Sequence, residues 1–231
     1  MGAKVNKARF LLRKYHIWLG WIVALPFLAW TVSGLLMVWK PIEEVRGEGL
    51  IADAPVLAMG VTPVPPQIGP RPVSTLTLEQ RSDGPKWVVK YADGEARLAD
   101  PATGRLLPPL TASDAAKAVR ARYTGEASVT GVDRISADNP PIDLRRKVES
   151  WRVSMSDGTR FYVNAATGEI IARRTAFWRL YDFMWGLHIM DLETREDTHN
   201  PLVIGFGLAA IVTTLLAILL LPMTIRRRRR S

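Results

Sequence analysis

Three patterns of apolar positions divide this chain of 231 residues. Residues 17–39, "IWLGWIVALPFLAWTVSGLLMVW", hold 23 positions without a charge, and residues 200–225 form a second uncharged run. Both runs are apolar all round. Either is long enough, at about 1.5 Å rise per residue, to carry a helix across a hydrocarbon core of about 30 Å. The first exceeds the roughly 7 to 15 apolar residues of a cleaved secretory signal and ends in "VWKP" without a small-residue cleavage pattern, so it reads as a permanent helix. In the middle of the chain the period changes to two. "WVVKY" and "WRVSM" alternate as strands with one buried face do, and the Asp-Gly pair after each supplies the positive φ of a tight hairpin turn. These strands belong to an internal repeat with an offset of 64: Trp87, Val89, Asp93, Gly94, Asp100, Thr103 and Gly104 return as Trp151, Val153, Asp157, Gly158, Asn164, Thr167 and Gly168. The turns that follow, "DPATG" and "NAATG", combine an Asp or Asn that bonds nearby backbone with a Gly for the left-handed position.

Two further segments carry a helical period. "TASDAAKAVRARY", residues 111–123, sets alanines and Val119 at helix spacing behind Thr111 or Ser113 as N-cap, which predicts a helix covering one face of a small antiparallel sheet. Residues 175–192, "TAFWRLYDFMWGLHIMDL", place Phe177, Tyr181, Met184 and His188 on one face and Arg179, Asp182 and Gly186 in a narrow polar stripe, as in a helix at a membrane interface. Residues 41–72 are rich in Pro and Gly, as in "VTPVPPQIGPRP", and read as an extended connection without a regular helix or central strand. The fold class this predicts is α+β, with two transmembrane helices flanking a domain of antiparallel strands and helix.

Charge adds a direction. Of the 31 basic residues, Lys4, Lys7, Arg9, Arg13 and Lys14 precede the first run and Arg226 to Arg230 follow the second, with no acid in either end segment. The remaining 21 basic residues meet all 22 acidic ones in residues 40–200. By the positive-inside rule both ends lie in the cytoplasm and the middle lies across the membrane. The "RRRRRS" end reads as a topology anchor that meets anionic lipid rather than as a nucleic-acid site. Cysteine is absent, which excludes disulfides, cysteine-ligated iron–sulfur clusters and covalent c-type haem on this chain's own ligands. The sequence also lacks G-x-S-x-G, H-E-x-x-H and a phosphate-binding glycine loop, which argues against a hydrolase.

"SDAAKAVRARYTGEASV" followed by "ESWRVSMSDGTRFYVNAATGEII" resembles the PepSY domain, over about residues 112–171, and residues 87–105 resemble a partial second unit. The flanking "RKYHIWLGWIVALPFLAWTVSGLLMVWKP" and "WGLHIMD" are similar to PepSY-associated membrane proteins. Some of that family are linked to ferric siderophore reduction and iron uptake. The resemblance implies an inner-membrane protein with a periplasmic PepSY-like domain, and it makes His16, in "H-x-W-L-G", a haem-ligand candidate. It also implies, from the family's name-giving members alone, a periplasmic peptidase inhibitor as one alternative.

The three histidines are the other candidates for chemistry. His188 and His199 are 11 residues apart; on one uninterrupted helix they would stand ~16 Å apart, so shared axial ligation of haem b requires "DLETREDT" to fold back. His16 lies at the opposite end of a span and cannot join them on one haem within a subunit. His188, Asp191, Glu193, Glu196 and His199 are an alternative set of metal ligands, but such an acidic stretch is more often a solvated connection, and no metal site is assigned. Gly205, Ala209, Thr213 and Ala217 form a strip of small residues at which another helix can approach, either the first span or a second copy. The expected organisation is therefore a basic cytoplasmic start at 1–16, spans at 17–39 and 200–225, a Pro/Gly-rich linker at 40–74, the PepSY-like domain at 75–174, an interfacial helix and connection at 175–199 and a cytoplasmic Arg-rich tail at 226–231. The expected role is a non-catalytic accessory or regulatory subunit, in iron uptake or respiratory redox, of a membrane or periplasmic protein partner or homo-oligomer. The alternative is a haem-b-binding component passing electrons to periplasmic ferric-siderophore substrates.

Overall fold

The structure, a computed structural model, describes residues 2–58, 60 and 62–228. The side chains of Lys4 and of Arg226 to Arg230, on which the charge argument partly rests, lie outside the described ones. In chain order the elements are α1 (Gly2–Met37), α2 (Ile42–Val45), β1 (Val73–Arg81), β2 (Gly84–Tyr91), β3 (Ala96–Ala99) and α3 (Ala112–Arg120). They continue with β4 (Val129–Ile135), β5 (Ser150–Met155), β6 (Arg160–Asn164), β7 (Ile170–Arg174), α4 (Ala176–His188) and α5 (Pro201–Arg228). The fold is α+β, with two apolar helices at the ends and two antiparallel sheets and a helix between them. The chain divides into two units, Met1–Lys40 with Leu180–Ser231, and Pro41–Arg179.

Within the first unit α1 packs on α5. On α1 the less exposed positions include Leu12, His16, Leu19, Val23, Pro26, Ala29, Ser33 and Met37; on α5 they include Val203, Phe206, Ala210, Thr213, Ala217 and Leu220. Intervals of three and four keep one seam in contact, as in a left-handed helix pair. Many of the remaining side chains between residues 17 and 221 on these two helices are apolar and exposed, Trp18, Trp21, Leu25, Leu208 and Leu215 among them. The stretches Lys7–Met37 and Pro201–Met223 are long and apolar enough to cross a membrane. The first helix starts well before residue 17, because Leu, Ala, Lys and Arg in residues 2–16 are all good helix formers.

The second unit contains both copies of the repeat. In the later copy α3 lies over β4-β5-β6-β7, where Ala115 and Val119 meet Val153, Met155, Phe161 and Val163 in a fully buried cluster. Thr111 opens α3 with a capping box: its hydroxyl accepts from Asp114 N–H while the Asp114 carboxylate accepts from the Thr111 backbone and hydroxyl. The opposite sheet face is covered by the long β4–β5 connection, which buries Leu144 on Tyr162 and Ala172. The earlier copy is the sheet β1-β2-β3, with no helix of its own among the described residues.

A common frame relates the copies. The Trp87 indole donates to Val64 O at 2.9 Å, and the Trp151 indole to Leu110 O at 2.8 Å. Val64 N–H donates to Pro101 O, and Leu110 N–H to Ala165 O, each at 2.7 Å. Pro101 and Ala165 are again 64 apart. In the later copy the crossing segment continues into α3; in the earlier one Pro65 and Pro66 follow, and the missing N–H groups bar a helix. Gly104 and Gly168 both sit at φ 70° beneath these segments. A Cβ at Gly104 would overlap the Pro65 carbonyl, which belongs to stiff backbone, whereas one at Gly168 would come to 2.9 Å from the movable Leu110 Cδ2. Gly104→Ala is therefore expected to cost about 2 kcal/mol or more and to exceed Gly168→Ala, read as shifts of the urea midpoint. Equal costs would contradict the rigid-strap explanation.

The connection before β1 departs from expectation. Residues 41–72 are not extended throughout, since α2 and a 3-10 turn at Glu48–Leu50 occupy the start. Pro41 stands at the N-cap of α2, where its missing N–H is harmless, and residues 42–50 contain no further Pro. Val45 is buried, and Ile51 bridges to Tyr123 beyond α3.

Candidate functional site

The three histidines take three different roles. On α1, His16 Nδ1 lies 3.2 Å from Thr213 O on α5; a carbonyl can only accept, so Nδ1 carries the proton. Thr213 itself donates to Ala209 O at 2.7 Å. Of the small-residue strip, Ala209, Thr213 and Ala217 are partly covered, while Gly205 is exposed and a Cβ there would meet nothing within 4 Å. His199 is exposed, with Nδ1 at 3.2 Å from the Thr198 hydroxyl.

His188, the last residue of α4, is built into the helical unit. Its Nδ1 lies 3.0 Å from Ser33 Oγ and 3.2 Å from Trp30 O, and the ring stacks on Trp30 with centroids 4.6 Å apart. Ser33 is fully buried and donates its own hydroxyl proton to Trp30 O at 2.9 Å. Both acceptors thus require Nδ1–H on His188, which leaves Nε2 as the ring atom with an available lone pair in neutral imidazole. Gly34 makes the approach feasible, since a Cβ there would sit 3.3 Å from His188 Cε1. His16 and Ser33 are 17 residues apart on α1, about 25 Å along the helix axis, so His16 and His188 serve different depths.

Beyond His188 the chain reverses. Met190 takes φ 56°, and Asn200 Nδ2 donates to Ile189 O at 2.8 Å, joining the residues that directly follow the two histidines. The single continuous helix that would hold His188 and His199 ~16 Å apart is therefore replaced by a fold-back. Arg195 closes it. Its Nη1 reaches Asp182 Oδ2 at 2.8 Å, with the two side chains only 18% and 5% exposed, and its carbonyl accepts from the Trp185 indole. Gly186 has no room for a Cβ, which would lie 2.7 Å from Arg195 Cγ and 2.8 Å from Asp191 O. The stripe of Asp182 and Gly186 thus faces the reversed loop. Asp191 organises the loop interior by accepting from the Thr194 hydroxyl and from the backbone N–H groups of Thr194, Glu196 and Asp197. These bonds, the hydroxyl first, hold its carboxyl well below the usual carboxylate range. Its contribution to stability is fully present above the ordinary value and is lost only as pH falls through the depressed one. Among the described residues no group of three or more His, Asp or Glu converges as a metal site.

A cleft of about 990 Å³ opens within the second unit, between the two copies of the repeat. Leu78 and Leu98 come from the first sheet, Leu107 and Leu110 from the segment between the sheets, and Ile170 from β7. Asp53 and Lys117 also line it, with Lys117 within electrostatic reach of Asp114 on the same helix.

Comparison with family models matches residues 109–174 to "Peptidase propeptide and YPEB domain", PepSY. Residues 109–174 are a PepSY domain. No curated protein and no solved structure matches the chain. The PepSY boundaries include α3 through β7 and leave the first sheet outside. They also enclose the β4–β5 connection, to which the sequence patterns assign no element. There Asp143, itself buried, accepts from Tyr162 Oη at 2.7 Å and from Arg160 at 3.3 Å, while its carbonyl accepts from Arg174 at 2.6 Å. Burial, then the bond to Asp143, push the Tyr162 phenol above its ordinary value, so it remains a neutral donor. The only available signal was "IDL" within "NPPIDLRRK", an apolar pair around an acid.

Proposed function

We propose that this protein is a membrane-anchored, non-catalytic accessory subunit whose PepSY-containing unit takes a segment of a partner protein into the cleft between the repeats. The cleft carries the reading. Its apolar walls provide area for side chains, and Asp53 and Lys117 in the lining offer polar contacts. The basic end segments support a topology with both ends in the cytoplasm and the PepSY unit across the membrane. Ala118 lines the cleft from α3, half-buried, so Ala118→Trp should fill it without touching the core of Ala115 and Val119. Photo-crosslinking from the cleft should then trap a partner with the native chain and lose it with Ala118→Trp. A partner kept by a chain lacking residues 75–171 would contradict the reading.

His188 favours a second reading, a haem-b component that passes electrons to ferric substrates. The arrangement fits such a ligand: Nδ1–H is committed to Ser33 and Trp30, which fixes the ring and leaves Nε2 as the donor. Bound haem would supply one-electron chemistry, while Ser33 and Trp30 orient the imidazole. On this reading the purified chain shows a dithionite-reduced b-type spectrum that His188→Ala abolishes. A spectrum unchanged by His188→Ala would remove this ligand.

A further inference from the structure

The sheet β1-β2-β3 leaves one long edge open beside the cleft. Tyr91 N–H donates to Glu95 O at 2.8 Å, toward the β3 side. A residue in an antiparallel strand turns its N–H and C=O to the same side, and that side alternates along the strand. Trp87 and Val89 therefore bond β3, as Tyr91 bonds its turn, while Gly84, Lys86, Val88 and Lys90 bond β1. Their partners in register are Arg81, Glu79, Thr77 and Thr75. The N–H and C=O groups of Leu76, Leu78 and Gln80 are left turned outward. Pro85, opposite Gln80, agrees with this pattern, because its position owes β1 no N–H.

The other sheet edges are blunted, as native edges usually are. β3 has four residues, and its outer side is taken by the returning chain, where Leu107 N–H donates to Leu98 O and Ala99 bridges Leu106. β4 carries a register break between Val129 and Gly131 and the charged Asp133 and Arg134. β7 is five residues long and ends in Arg173 and Arg174. β1 differs: it has nine residues, no Pro or Lys, and unbroken pairing from Thr75 to Arg81. Ala58 N–H reaches the Gln80 side chain at 3.3 Å, but among the described residues no backbone group bonds the outward side of Leu76, Leu78 or Gln80.

This open edge is also a wall of the cleft, since Leu78 and Gln80 line it. We propose that the cleft's occupant is an extended, largely uncharged segment of the partner, bound as a fourth strand on β1; this rests on the cleft reading above and names how the segment is held. Main-chain bonds to Leu76, Leu78 and Gln80 supply affinity for an extended chain, and alternate side chains select among sequences. Charge sets the class of segment. Glu79 pairs with Arg81 at 2.9 Å and Asp83 with Lys86 at 3.3 Å, so this end of the cleft is already balanced and gains nothing from a charged occupant. Leu98, Leu107, Leu110 and Ile170 in the lining suit apolar side chains at alternate positions.

The test is fluorescence anisotropy of the full chain in neutral detergent with labelled short peptides that alternate Thr with Val, Leu or Phe. Each peptide is compared with two N-methylated forms, one blocked at the N–H groups of one edge and one at those of the other. An added strand bonds through a single edge, so one form should lose binding about tenfold or more while the other keeps it. Leu78→Pro removes an N–H that β2 does not use and should weaken binding about tenfold; Leu76→Pro, at a more exposed position, should weaken it several-fold. The N-methylated peptides leave the protein native and so guard against misfolding of either variant. Loss with both Leu78→Pro and Ala118→Trp supports the strand in the cleft. Loss with Leu78→Pro alone retains the strand and overturns the cleft reading, whereas loss with Ala118→Trp alone retains the cleft and overturns the strand. The strand is also overturned if no peptide binds or if the two N-methylated forms bind alike.

Discussion

Asp182→Ala is expected to destabilise the helical unit by about 3 to 5 kcal/mol, because it strands the Arg195 guanidinium in a site where that side chain is 18% exposed. The loop from Asp191 to Asn200 is held to α4 by this pair, by the Trp185 indole on Arg195 O and by Asn200 on Ile189 O. Losing the pair should free the loop first. In detergent-purified protein, trypsin should cut after Arg195 much faster in Asp182→Ala, and the thermal midpoint should fall. Asp182→Leu/Arg195→Met should recover much of the loss, since an apolar pair of similar volume avoids the desolvation of both charges. Unchanged cleavage and midpoint in Asp182→Ala would mean the pair does not hold the loop.

The second large effect belongs to the PepSY domain. Asp143→Ala removes the acceptor of a buried phenol and the partner of Arg160 at once, and is expected to cost roughly 3 kcal/mol. Asp143→Asn keeps an oxygen for Tyr162 while losing the charge, and should cost about 1 kcal/mol. Urea unfolding of the full chain, followed by tryptophan emission, separates the two. If Asp143→Ala matched Asp143→Asn, the loop over Tyr162 would be secured by Leu144 packing rather than by the carboxylate.

Sequence reading was informative where a pattern is local and periodic. The two uncharged runs, the Trp and Asp-Gly positions repeated at 64, and Thr111 with Asp114 at the start of α3 each encode their element within a few residues. It was silent where polar residues bond to something distant or to their own backbone. "DLETREDT" is the largely exposed connection its composition suggests, and within it Asp191 accepts from the loop's own N–H groups and Arg195 reaches back 13 residues to Asp182. Neither arrangement leaves a period in the chain. The polar stripe of α4 gave no sign of its partner for the same reason, because Asp182 reaches Arg195 across a chain reversal.

The pairing of α1 with α5 sets a schedule for synthesis. Met37 leaves the ribosome 164 residues before Pro201, and at ~5–20 residues per second the first helix waits roughly 8 to 30 s for its partner. Until then Thr213 O does not exist for His16, nor His188 for Ser33. The first helix must therefore survive that interval as a solitary segment, on the strength of its uncharged length, with its polar groups bonded only to their own backbone.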